Sequence, residues 1–202
     1  MVSLTAMHPD FKNIFSYADY LRWTDRERIE LIDGVPYMMT PAPSRVHQEI
    51  IFELGGQFRN ALKDQKCKGY TAPFDVRLTE NKSKDNDEEV YTVVQPDLVV
   101  VCDQSKLDDK GCHGAPDLVI EVISPSTASH DYIRKMELYE KNSVKEYWIV
   151  HPTDRVLMVH VLKDGHYMKP KIYDREATVQ VQVLPEIEID LKEVFPEEAS
   201  EK

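Results

Sequence analysis

Apolar residues recur at helical spacing in three stretches of the chain and form short alternating or unbroken runs elsewhere. Phe15 to Trp23 reads as a short amphipathic helix that lids the domain, with Ser16 as its cap and Tyr17, Tyr20 and Leu21 on one apolar face. Arg28 to Ile32 and Val35 to Met39 are apolar runs on either side of Asp33-Gly34, the signature of a hairpin. Pro41 and Pro43 end it, and Ser44 caps a helix to about Lys63 whose buried stripe is Ile50, Ile51, Leu54, Phe58 and Leu62. Three strands follow: Tyr70 to Leu78, Val93 to Val101 and Asp117 to Ser124, with a charged loop and a turn-rich connection through Gly111 and Gly114 between them. The last two are nearly continuous apolar runs, as expected of a sheet covered on both faces. A helix led by Ser126, Thr127 and Ser129 then runs to about Lys141 with Tyr132, Met136 and Tyr139 inward, and Val144 to Val150 forms another buried strand. Beyond it, Val156 to Leu162, a turn at Asp164-Gly165, Tyr167 to Tyr173, Thr178 to Val183 and Ile187 to Leu191 read as short antiparallel strands.

Helix, three strands, helix, strand between residues 44 and 150 predicts an α/β (α+β) fold: an αβββαβ core with a mixed central sheet, an N-terminal helix and hairpin, and extra C-terminal antiparallel strands. With no internal repeat, residues 1–202 are expected to form one domain, its core at about 28–151 and its β extension at about 156–195.

A content of 42% hydrophobic and 30% charged residues is that of an ordinary soluble globular chain. Cys67, Cys102 and Cys112 have no zinc-type spacing, and their sparse, odd count fits a reducing compartment better than a disulfide framework. With no basic-then-apolar leader in Met1 to Asp10 and no run near the ~18 apolar residues of a span, the expected location is cytoplasmic, without membrane contact. The formal net charge of −11 argues against general affinity for polyphosphate. Part of that charge is local, since Glu80 to Glu89 holds five acids against two lysines and Pro196 to Lys202 three glutamates against one lysine. Both segments read as solvated, so a basic patch near a site is compatible with the balance.

Chemistry enters with the acids of the buried strands. Gln95-Pro96-Asp97-Leu98-Val99-Val100-Val101 and Pro116-Asp117-Leu118-Val119-Ile120-Glu121-Val122 both open on Pro-Asp, and Glu121 stands among apolar neighbours. At ~3.3 Å per residue, Asp117 and Glu121 share a face but lie roughly 13 Å apart, too far to grip one ion. Asp97 can converge with Glu121 on a divalent cation if their strands are neighbours at ~4.8 Å. A buried Glu121 needs a metal or a cationic partner, whereas Asp97 could merely cap a backbone N–H at a strand start, and Asp117 reads as structural.

Those acids in that element order resemble the PD-(D/E)XK nuclease superfamily, and more narrowly the Uma2 (DUF820) group of restriction-endonuclease-like proteins. The narrower likeness rests on Ile29-Glu30-Leu31-Ile32-Asp33-Gly34, Pro41-Ala42-Pro43-Ser44-x-x-His47, the two Pro-Asp strands through Ser124-Pro125-Ser126-Thr127, Asp131-x-x-x-Lys135, and Glu146-Tyr147-Trp148-Ile149-Val150. The superfamily lysine belongs two residues after the second acid, where this chain has Ile123. In the resembling group the following helix supplies it, at the place of Lys135. The resemblance implies a restriction-endonuclease-like fold and metal-dependent phosphodiester hydrolysis, with DNA as the expected substrate and a homodimer or higher homo-oligomer as the expected assembly. Asp97 and Glu121 would hold Mg²⁺ (or Mn²⁺), with the Val122 carbonyl as a further ligand. Lys135 would orient or deprotonate the attacking water and offset charge on phosphorus. Glu30 and His47 fall at accessory positions, Glu30 as a further metal-site oxygen and His47 toward a phosphate or a metal-bound water.

Blander readings stand beside these. Asp131 and Lys135 could form a surface i,i+4 pair, His47 shares the stripe of Ile50 and Leu54, and Glu30 could pair with Arg28 or Arg45. Cys112-His113 reads as loop. Tyr147-Trp148 reads as core packing, or as a dimer surface if Trp148 is exposed. At the level of function, the alternative is a catalytically inactive nuclease-fold binding or scaffold protein, favoured by the displaced lysine and the net charge. A hydrolase of small phosphoesters has no glycine-rich phosphate cradle to support it.

Overall fold

The computed structural model describes residues 14–23, 29–39, 43–79, 86–123 and 128–195, with side chains from residue 133 onward in the last segment. The predicted N-terminal helix is shorter than its apolar pattern suggests, α1 (Tyr17–Tyr20), and is closed by a reciprocal Ser16–Asp19 capping box. Strands β1 (Ile29–Ile32) and β2 (Val35–Met38) form the expected hairpin, and both turn residues, Asp33 and Gly34, take positive φ (48° and 78°). Ser44 caps α2 (Arg45–Ala61) by accepting the His47 N–H, and the helix buries His47, Ile50, Leu54 and Phe58.

Two of the three expected core strands are each divided between two sheets. Tyr70 to Leu78 becomes β3 (Lys68–Thr71) and β4 (Val76–Arg77), interrupted at the cis Ala72–Pro73 bond. Val93 to Val101 becomes β5 (Val93–Val94) and β6 (Leu98–Val101), interrupted at Gln95-Pro96-Asp97. Proline has no ladder donor, so each run breaks where it stands. The turn-rich connection contains β7 (Leu107–Asp108) and β8 (Gly111–His113), which takes in Cys112 and His113 as buried strand residues rather than loop. Next come β9 (Leu118–Val122), α3 (Ala128–Lys141), β10 (Glu146–His151), β11 (Val156–Lys163), β12 (His166–Tyr167), β13 (Lys171–Asp174), β14 (Thr178–Gln180), β15 (Glu188–Asp190) and a closing turn of helix, α4 (Leu191–Val194).

The central sheet runs β12-β11-β10-β9-β6-β3, with β13 also on β11; β9 and β10 are parallel and the rest antiparallel, so the sheet is mixed as expected. Helix α3 is the connection between the parallel pair. A second sheet runs β2-β1-β5-β4-β8-β7. One face of the central sheet packs through Leu98, Val100, Leu118 and Ile120 onto α2 and the C-terminal Val179, Ile189 and Phe195. The other packs through Val99, Val101, Val119 and Ile149 onto the second sheet and Tyr139 of α3. Every residue of β6 and β9 is buried, which is why both read as unbroken apolar runs.

Cys67 and Cys102 are joined by a disulfide at the ends of the paired strands β3 and β6. This runs against the expectation that a sparse, odd cysteine count fits a reducing compartment better than a disulfide framework; of the three cysteines, only Cys112 is free, and it is buried. Trp148 has no exposed surface, which removes the dimer-surface reading of that residue. No helix among the described residues is long and apolar enough to cross a membrane. Most of the acidic loop and the whole acidic tail lie outside the described residues.

Candidate active site

Antiparallel pairing sets Leu98 opposite Ile120 and Val99 opposite Val119; one more step of that register brings Asp97 opposite Glu121. The two acids that the sequence could pair only if their strands were adjacent are therefore neighbours. Asp97 accepts the Val122 N–H at 2.8 Å and faces His47 Nε2 at 3.2 Å, both through Oδ2. The backbone-capping role considered for Asp97 is thus real, and it engages only one carboxylate oxygen. Val122 enters the site through its N–H.

Lys135 points inward. Its Nζ lies 2.9 Å from Glu121 Oε1 and 3.1 Å from Glu30 Oε1, and the side chain is 14% exposed, so it is no surface partner of Asp131. The Asp131 side chain is outside the described residues. Glu30 also accepts the Gln95 N–H at 3.0 Å; of the two arginines considered for it, Arg45 pairs with Glu49 along its own helix and Arg28 lies outside the described residues. His47 stands at the first turn of α2, buried, with Nδ1 unpartnered among the described residues. Asp117 accepts the Cys102 N–H and the Lys145 ammonium, at 2.7 and 2.6 Å, which fixes the strand ends rather than a site.

Tyr139 was legible only as an inward-facing aromatic. Its hydroxyl donates to Glu121 Oε1 at 2.8 Å, the same oxygen that Lys135 reaches. Gln95 extends the polar cluster outward, its amide donating to Asp75 at 2.8 Å and to the Tyr20 hydroxyl at 3.1 Å, while Tyr17 donates to Asp75 at 2.8 Å. The N-terminal helix is thereby hydrogen-bonded to the segment that carries Asp97.

Burial pushes the Glu121 carboxyl up to about 7; the Lys135 ammonium opposes that shift, and the charges of Asp97 and Glu30 add to it. Burial alone would lower the Lys135 pKa, but the carboxylates of Glu121 and Glu30 outweigh it and hold the ammonium above the ordinary lysine range. Burial, followed by Glu121 and Glu30, keeps the Tyr139 phenol protonated well beyond its usual pKa.

Each acid of the cluster commits a single oxygen. Asp97 Oδ1, Glu121 Oε2 and Glu30 Oε2 carry no hydrogen bond from the described residues. These are hard oxygen donors, and they fit Mg²⁺ or Mn²⁺, which are held by one or two carboxylates plus water and phosphate oxygens rather than by a full protein cage. Among the described residues no group of three or more His, Cys, Asp or Glu side chains is gathered closely enough to hold a metal ion.

The profile of the family Uma2, described as "Putative restriction endonuclease", matches residues 17–192. The chain belongs to the Uma2 family. Within the Uma2 match lie both sheets, α3 and every residue of the cluster. An uncharacterized protein of Synechocystis sp. (strain ATCC 27184 / PCC 6803 / Kazusa) is 29% identical over 154 residues, covering 74% of this chain and 76% of its own. A crystal structure described as "a putative nuclease belonging to DUF820", from Anabaena variabilis ATCC 29413, superposes with a TM-score of 0.70 at 17% identity, covering 90% of this chain and 97% of that one. At that identity the likeness shows a shared α/β fold.

Proposed function

We propose that this Uma2 protein is a Mg²⁺-dependent endonuclease that hydrolyses phosphodiester bonds of DNA. The observation that carries the reading is the convergence of Glu30, Glu121 and Lys135, with Asp97 directly across the strand pair, from four separate segments of the chain. A lysine amid three acids is the charge arrangement that phosphoryl transfer needs, and it is supplied by the helix after the second acid, where the resemblance puts it.

Asp97 and Glu121 would hold Mg²⁺ or Mn²⁺ through their uncommitted oxygens, with the Val122 carbonyl as the further ligand. When bound, the cation supplies charge stabilisation at the phosphate and a more acidic water. His47 fixes Asp97 from the side of α2, and Glu30 holds Lys135 against the site. Lys135 orients the attacking water and offsets the negative charge that grows on the phosphoryl oxygens. A homodimer would set two such sites, or two basic edges, on one duplex. Action on DNA would place the protein in the cytoplasm, although the Cys67–Cys102 bridge runs against a reducing compartment.

The second reading, an inactive nuclease-fold scaffold, draws on the net charge of −11 and on an ion-pair cluster already balanced by Lys135. Calorimetric titration of Mg²⁺ and Mn²⁺ into the wild type and the Asp97→Ala/Glu121→Ala double variant, with plasmid nicking on the same samples, separates the two. Binding and nicking that vanish together in the variant support the nuclease; a wild type that binds neither ion leaves the scaffold.

A further inference from the structure

The geometry points to Tyr139 as a positioning residue that fixes the metal-facing oxygen of Glu121 while Lys135 is engaged with substrate; this inference rests on the nuclease reading above. Tyr139 follows Lys135 by four residues on α3, so both side chains leave the same face of the helix one turn apart. They converge on a single atom, Glu121 Oε1, at 2.8 and 2.9 Å. Both donors sit on Oε1, and Oε2 carries no hydrogen bond from the described residues.

The two donors differ in what they can do next. Lys135 has a flexible four-carbon stem and cannot hold Glu121 and serve the attacking water with the same N–H at once. Tyr139 has no such freedom: it is fully buried, and its ring packs edge-on against Tyr147 with centroids 5.0 Å apart. When Lys135 turns to substrate, Tyr139 is the group left to keep Glu121 in place. Partners of this kind, one bond removed from the metal, typically change affinity by 10- to 100-fold when lost.

The test compares wild type and Tyr139→Phe, full chain, by Mn²⁺ titration followed by electron paramagnetic resonance, with kcat and KM for plasmid nicking and thermal unfolding on the same samples. Tyr139→Phe is expected to bind Mn²⁺ about tenfold more weakly and to lose kcat rather than raise KM, with its unfolding midpoint near that of wild type. Equal Mn²⁺ affinity in the two proteins overturns the positioning role and leaves the metal nuclease standing. A wild type that binds no Mn²⁺ sinks both. If Tyr139→Phe does not fold, 4-fluorophenylalanine at position 139 fills more of the hydroxyl's space without donating, and the same two outcomes apply to it.

Discussion

His160 shows how a single residue outside the site sets a pH limit on the fold. It is 4% exposed, its Nε2 has no hydrogen-bond partner among the described residues, and its ring packs against both Tyr147 and Tyr167. Burial lowers its pKa below the ordinary 6.5. In that direction the unfolded chain binds the proton first, so its contribution to stability is intact above pH 6.5 and is lost as the pH falls toward the folded value. His160→Phe keeps the ring and removes the orphaned nitrogen. Thermal melts should therefore show the variant at or above wild type at pH 7.5, with a gap that widens by pH 5.5. Within the site, the same arithmetic gives the proposed metal binding a pH dependence: burial holds the Glu121 carboxyl up to about 7, so Mn²⁺ affinity should fall as the pH drops from 8 to 6. Titration at the two values reads this directly. Asp97 and Glu121 were legible because strand period and spacing fix which acids can meet. The direction of Lys135 was not, since a helix phase that buries Tyr139 one turn on also suits a surface pair with Asp131. Nor could an apolar stripe reveal that the Tyr139 ring ends in a hydroxyl aimed at Glu121.

Among the elements, a buried acid adds a polar tie between the C-terminal extension and the core. Glu146, at the start of β10, accepts the Trp148 indole N–H at 2.7 Å and the Val183 N–H at 2.8 Å, and it has no exposed surface. Glu146→Ala strands both donors, each at about 1–3 kcal/mol. Denaturant titration should show the loss, and hydrogen exchange should rise first in β14 and β15. A second element-scale constraint is Gly111, which opens β8 at φ 122° against the Asp75 carbonyl oxygen. A Cβ there would run into that backbone, so Gly111→Ala should cost more than about 1 kcal/mol, read as a lower melting temperature. Element order and the hairpin were legible from turn residues and apolar period, and so were the caps Ser16 and Ser44, while Ser126, Thr127 and the Ser129 side chain lie outside the described residues. The division of two strands between sheets was not read, although Pro73 and Pro96 marked both breaks. The pairing of Cys67 with Cys102 depends on β3 lying beside β6, a long-range register that cysteine counting does not see.

Over the whole molecule, the charge of −11 bears directly on the proposal that the substrate is DNA. A divalent cation bound by the carboxylates reverses the local sign where a phosphate would sit. Fluorescence anisotropy with duplex DNA should show little binding in EDTA at 0.15 M salt and tighter binding with Ca²⁺, another oxygen-seeking cation; equal binding in both would separate DNA affinity from the acid cluster. Gln95-Pro96-Asp97 carries the chain from one sheet to the other, with Gln95 bonded to Glu30 in the first and Asp97 set beside Glu121 in the second. Adding or removing one residue between Val94 and Leu98 would turn Asp97 to the opposite face or slide one sheet past the other. The segment can therefore change its letters more easily than its length, and natural variants should conserve the count of three there even where the side chains drift.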